Sequence, residues 1–170
     1  MTADTDTDTT TDTDTTPAGA AGGDIIALAS DHAGFPLKER LKQMLAEEGR
    51  QVVDLGTDGP ESVDYPDIAR TLGMAIERGE AAFGVAVCGT GVGISIALNR
   101  FPGVRAAVCA DATMARLARQ HNDANVLALG ARVVGEEVAR DCLAAFLTNS
   151  FEGGRHGRRV SKLSRVLDPS

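Results

Sequence analysis

The sequence predicts an α/β fold: an open, doubly wound parallel sheet with helices on both faces. Three observations carry that prediction. From Asp24 onward, short unbroken apolar runs alternate with stretches of helical periodicity. This is the pattern of strands buried on both sides and joined by crossover helices. Aromatic residues make up only 4% of the chain and Trp is absent, so the core is built from Val, Ile, Leu and Ala, which suits close α/β packing more than a β-sandwich. Finally, proline and glycine stand where helices should start and stop.

Taken in order, the apolar run over 25–29 predicts a first strand. A helix follows over 36–48, with Leu37, Leu41, Met44 and Leu45 spaced i, i+4, i+7, i+8. Pro36 suits its first turn and Gly49 its C-terminal cap. A second strand covers 51–55, and a second helix runs over 66–78 to Gly79. The third strand covers 83–87, with a helix after Gly93. A fourth strand is predicted over 104–109, then a helix over 112–120. The fifth strand covers 126–129, followed by a helix over 136–147 and a last, basic helix over 155–165.

Composition bounds what such a chain does. It has 170 residues and a net charge of −7. Five of those charges are Asp4, Asp6, Asp8, Asp12 and Asp14, in a segment of Thr and Asp with no Lys or Arg before Lys38. Residues 1–23 are therefore predicted to be a disordered acidic tail, and residues 24–170 the folded domain. The nearly neutral body lacks the basic footprint of a nucleic-acid surface. The odd count of cysteines (Cys88, Cys109, Cys142) describes no disulfide framework and fits a reducing compartment. With no signal-peptide pattern and no apolar run near the ~20 residues that span a bilayer, a cytoplasmic protein without a membrane partner is expected.

In doubly wound sheets, ligands bind beyond the carboxyl ends of the strands. There stand Asp31-His32, the run Cys88-Gly89-Thr90-Gly91-Val92-Gly93, and Arg132. His121-Asn122-Asp123 closes the fourth helix. These groups are expected to converge on one rim. The glycines at alternate positions let backbone N–H groups surround an anion, and the following helix adds its positive end. No Lys-Ser/Thr follows, so this is no nucleotide P-loop, and Ile94 stands where a Cys-x5-Arg phosphatase loop needs its arginine. A thiol opening such a nest gains thiolate character and serves as a base. Cys109 and Cys142 read as core residues. Among the three histidines, His121 lies in a polar cluster, His32 follows Asp31, and His156 sits among arginines. No His/Cys/Asp/Glu group has metal-ligand spacing, so no metal and no cofactor are expected. Arg155 and Arg159, at i, i+4, read as a phosphate clamp, against the alternative of a solvated basic face.

Ser30-Asp-His-Ala-Gly, Asp64-Tyr-Pro, Cys88-Gly-Thr-Gly-Val-Gly-Ile-Ser, Arg119-Gln-His-Asn-Asp-Ala-Asn, Gly130-Ala-Arg-Val-Val-Gly and Glu152-Gly-Gly-Arg-His together resemble the type B ribose-5-phosphate isomerases, whose wider family includes the galactose-6-phosphate isomerase subunits. The resemblance covers about residues 24–166. It implies a five-stranded, three-layer Rossmann-like domain, a homodimer or dimer of dimers, and active sites shared between two chains. It assigns Cys88 as the base and His121 as the group that opens the sugar ring. It makes Asp31, His32, Tyr65 and Asn122 substrate contacts, Gly89, Thr90, Gly91, Val92 and Gly93 the anion nest, and Arg132, Arg155 and Arg159 the phosphate- and substrate-binding arginines. One branch of the family carries Ser for the Cys and a Glu at the position of Ile94. Ile94 cannot act as a base, which places this chain with the cysteine branch.

The implied reaction is aldose–ketose isomerisation of ribose 5-phosphate to ribulose 5-phosphate through a cis-enediolate, a step of the pentose phosphate pathway. An isomerase of the same class for a tetrose, allose or galactose phosphate is the alternative. A non-catalytic sugar-phosphate sensor is a third reading, against which the intact Cys88 and His121 stand.

Overall fold

All five predicted strands form, and the helices between them fall where the periodicity puts them. The computed structural model describes residues 25–165, so the predicted tail over 1–23 lies outside the described residues. The elements are β1 (Ile25–Ser30), α1 (Phe35–Glu47), β2 (Gln51–Asp54), α2 (Tyr65–Glu77), β3 (Phe83–Cys88), α3 (Val92–Leu98), β4 (Ala106–Val108), α4 (Ala112–Asn122), β5 (Val126–Gly130), α5 (Glu136–Thr148) and α6 (Gly154–Arg165). The strands form one all-parallel sheet in the order β2-β1-β3-β5-β4.

Alternation along the strands builds two unlike faces. Leu28, Val85, Val87, Leu127 and Leu129 point into a core with α1, α4 and α5. Ala27, Ala29, Ala86 and Ala128 face the other way, against Ala69 and Leu72 of α2 and Ile94 and Leu98 of α3. Bulky side chains thus fill one face, and small ones leave room for the two helices on the other. The helices end as read: Gly49 and Gly79, at φ 71 and φ 68, follow the C-caps of α1 and α2.

Of the elements with both ends predicted, β4 and α4 depart from expectation by more than one residue at an end. β4 is three residues long rather than six. Its predicted start is drawn into side-chain bonds, because Arg105 donates its N–H to Asn125 Oδ1 at 2.8 Å. Asn99 occupies the free edge of β4, pairing with both the N–H and the carbonyl of Ala106 at 2.9 Å. Helix α4 runs past Gln120 through Asn122, with Asp111 Oδ1 capping its start by accepting from the Met114 N–H. His121 and Asn122 are therefore in its last turn. Among the described residues, no helix is long and apolar enough to cross a membrane.

Candidate active site

β1 leads outward to β2, while β3 leads the opposite way to β4 across β5. The carboxyl ends of β1 and β3 therefore flank the crevice at which doubly wound sheets bind ligands. Ser30 pairs with Val87 and Cys88 with Gly130, so Cys88 is flanked by Asp31 on one side and by the turn holding Arg132 on the other. The Asp31 N–H donates to the Val87 carbonyl at 3.2 Å, and Asp31 Oδ1 accepts from the Gly34 N–H at 3.0 Å. His32 Nδ1 accepts from the Val63 N–H at 3.2 Å, which leaves the ring proton on Nε2.

The run after β3 folds around the sulfur. Gly91 has φ 78, a left-handed conformation that favours glycine, and its N–H donates to Cys88 Sγ at 3.1 Å. The Val92 N–H donates to Thr90 Oγ1 at 3.3 Å. A side chain at Gly93 would lie within 2.8 Å of the Tyr65 ring, so glycine lets the only tyrosine close over the nest. Arg132 donates its backbone N–H to the Gly89 carbonyl at 3.0 Å and holds its guanidinium above Gly89. Asp31, His32, Tyr65, Cys88, the nest over 89–93 and Arg132 thus share one rim. Ile94 is fully buried in the α2/α3 core, among apolar side chains.

The other two thiols are of a different kind. Burial, with Cys142 and Asp111 nearby, pushes Cys109 up to about 12. Burial, with Asp111 and Asp141, pushes Cys142 up to about 11. Both belong to the core over α1, α4 and α5.

The structure corrects the expectation of a single rim. α4 runs antiparallel to the strands and ends where β5 begins. Asp123, just beyond it, pairs at 2.7 Å with Arg105, which precedes β4. His121 and Asn122 therefore lie at the amino rim. Cys88 sits opposite Gly130 at the far end of β5, four steps or ~13 Å from the strand's start at ~3.3 Å per residue. α6 packs on α4 at the same amino rim, and Arg155 and Arg159 are exposed there. One chain thus carries two clusters of the predicted site residues, at opposite ends of its sheet.

The amino rim also holds two residues whose closeness to His121 the sequence did not reveal. Glu152 Oε2 lies 3.8 Å from His121 Nε2 and 4.0 Å from His156 Nε2, and the two rings stack. These groups meet the ligand chemistry of a metal site, a grouping hidden by the 30 residues between His121 and Glu152.

The profile of the family described as Ribose/Galactose Isomerase matches residues 26–163. Ribose-5-phosphate isomerase B of Escherichia coli is 48% identical over 141 residues, 83% of this chain and 95% of that protein. D-erythrulose-4-phosphate isomerase of Pectobacterium atrosepticum is 42% identical over 139 residues, 81% and 91% of the two chains. The solved structure of ribose-5-phosphate isomerase B from Clostridium thermocellum superposes with a TM-score of 0.84 at 48% identity, covering 85% of this chain and 98% of that one.

Proposed function

The chain belongs to the Ribose/Galactose Isomerase family, and on that footing we propose that it interconverts ribose 5-phosphate and ribulose 5-phosphate in a homodimer whose sites are each built from two chains. The observation that carries the reading is Cys88: a thiol at the switch-point crevice, bonded by the Gly91 N–H and faced by Asp31 and Arg132. What supports the homodimer is the division of the predicted site residues between two rims. A second copy brings His121, Asn122, Arg155 and Arg159 to the rim that has Cys88 and lacks them. Val92 and Ile96, one turn apart on α3 beside the nest, are 51% and 53% exposed, and a partner chain would cover them.

The chemistry proceeds in balanced steps. His121 of the partner chain takes the proton from the anomeric hydroxyl and returns a proton to the ring oxygen, which opens the furanose to the aldehyde. The Cys88 thiolate removes the proton from C2, and the electron pair passes to O1 as the cis-enediolate. Backbone N–H groups of the nest face this charge as an oxyanion hole does. Thr90 moves a proton between O1 and O2, Cys88 returns its proton to C1, and O2 becomes the ketone. The arginines hold the phosphate and so position the reacting carbons. Three free cysteines suit a reducing cytoplasm.

The second reading is isomerisation of a shorter sugar phosphate, favoured by the 42% identity to an erythrulose-4-phosphate isomerase. A side-by-side assay of four-, five- and six-carbon aldose phosphates tests both. The highest kcat/KM is expected for ribose 5-phosphate, and a preference for the tetrose would replace that reading with the second. Cys88→Ala should abolish turnover and solvent-deuterium exchange at C2, a loss of about 10²–10⁴ for a general base. Retained exchange would move the base elsewhere, Asp31 being the next candidate.

A further inference from the structure

The mechanism leaves unused the residue that lies against His121. His156, in the first turn of α6, stacks on the His121 ring with planes 1° apart and centroids 4.2 Å apart. His156 is buried, whereas the side chain of His121 is 36% exposed, so His121 offers one face to solvent and rests the other on its neighbour. Arg155 Nε donates to His156 Nε2 at 3.3 Å, which makes Nε2 an acceptor and the ring neutral. Burial lowers the His156 pKa, the nearby His121 ring and the Arg155 and Arg159 guanidinium groups act in the same direction, and only Glu152 opposes them. Glu152 is itself tied to α4, its N–H donating to the Gln120 carbonyl at 3.0 Å. The same bond from Arg155 argues against a cation held by His121, Glu152 and His156: it takes up the lone pair such an ion would need and sets a guanidinium beside it.

Proton transfer to a ring oxygen runs along an N–H that lies in the imidazole plane. The torsion that sets this plane is broad, because it joins tetrahedral and trigonal carbons, so covalent geometry alone does not aim the ring. We propose that His156 is a positioning residue, a neutral aromatic platform that fixes the plane of His121 for opening of the sugar ring. The proposal rests on the reading of His121 as the ring-opening group.

The experiment separates ring opening from enolisation. Ribose 5-phosphate closes to a furanose through O4. In ribulose 5-phosphate the phosphate occupies O5, so the ketose has no furanose, and exchange of its C1 hydrogen with deuterated solvent needs Cys88 but no ring opening. Both rates are measured in the full-length protein. In His156→Ala, turnover of ribose 5-phosphate should fall about tenfold or more, the scale of a misplaced catalytic group, with ketose exchange held within about twofold. His156→Phe, which restores a flat face without the nitrogens, should recover most of the loss. Should the Ala variant not fold, the same ratio is read in His156→Gln, which keeps a polar group for Arg155 but no ring. Equal losses in both rates, no loss of aldose turnover, or a Phe variant no better than Ala overturns the proposal. His121→Ala run in parallel isolates the premise: if it lowers both rates equally, the ring-opening role of His121 fails. If it lowers only aldose turnover while His156→Ala changes nothing, the premise stands and the platform falls.

Discussion

Two inactive variants should restore each other's activity if the site spans two chains. Cys88→Ala removes the base and His121→Ala removes the ring-opening group. Within one chain these groups stand at opposite ends of β5, ~13 Å apart by strand rise, whereas a proton passes between atoms ~2.6–3.2 Å apart. In a mixed dimer, one site pairs the intact Cys88 of one chain with the intact His121 of the other, and the second site has neither. Random re-pairing of equal amounts makes about half the dimers mixed, each with one working site, so about one quarter of wild-type turnover should return in a two-fold dimer. The assay is ribulose 5-phosphate formation before and after subunit exchange, with two affinity tags to verify that mixed dimers form. A Cys88→Ala/His121→Ala double variant mixed with wild type is the control, since its mixed dimers have no complete site. Tag-verified mixed dimers no more active than their parents would refute the reasoning and return both groups to one chain.

Four further outcomes are expected. Iodoacetamide, followed by peptide mass analysis, should modify Cys88 well before Cys109 and Cys142, whose thiols burial pushes up to about 12 and about 11; equal rates would remove the special standing of Cys88. Arg155→Ala and Arg159→Ala should each raise KM for the sugar phosphate with little change in kcat, by the roughly 1.5–3 kcal/mol of a charge-assisted bond, and an unchanged KM in both would return α6 to a solvated basic face. Lys38, 1% exposed, bonds Asp54 and Glu39 at 2.5 Å and 2.7 Å. Burial raises the Asp54 pKa, but the bonds from Lys38, Lys42 and the Gly56 N–H outweigh it and leave a net lowering, while bonds from the same lysines lower Glu39. Carboxylates depressed in the fold contribute stability above their unfolded values of ~3.9 and ~4.3 and lose it as pH falls through their lower folded values. The destabilisation by Lys38→Met, about 1–3 kcal/mol, should thus be constant from pH 7 to about 5 and shrink below about 4; urea melts showing a gap that does not narrow in acid would contradict this. Deleting residues 2–22 should leave kcat/KM within about twofold, as the Thr/Asp composition of that segment predicts, and a tenfold loss would give it a part in the site.

The strands were legible because each apolar run is short and ends in a residue of distinct character, as in Leu28-Ala29-Ser30 and Val87-Cys88-Gly89. What periodicity could not show was how the two faces of the sheet differ. That requires knowing which residues share a face across strands, and only the register of β1, β3 and β5 sets Leu28, Val87 and Leu129 together, away from Ala29, Ala86 and Ala128. The boundary of β4 was illegible for a related reason. Val104 and Arg105 read as a continuation of the strand, but their N–H groups find partners in the Phe101 carbonyl and the Asn125 side chain, and neither partner is visible as a local pattern.

The division of the predicted site residues between two rims has a simpler cause, and it lies in the chain order itself. In an all-parallel sheet every strand runs one way and every crossover helix runs back, so a residue just after a strand and a residue just after a helix are at opposite rims. Cys88 ends β3, and Asp31 and Arg132 follow β1 and β5. His121 closes α4, and Glu152, Arg155 and His156 follow α5. Sorting the polar residues by the kind of element that precedes them divides them into the two groups the structure separates, with no coordinates required. Reading all polar clusters as one convergent rim ignores that parity. Once parity is applied, Cys88 and His121 fall at opposite rims of one chain, so in the dimer proposed above each chain would present its amino rim to the other's carboxyl rim, an arrangement that two-fold symmetry makes reciprocal.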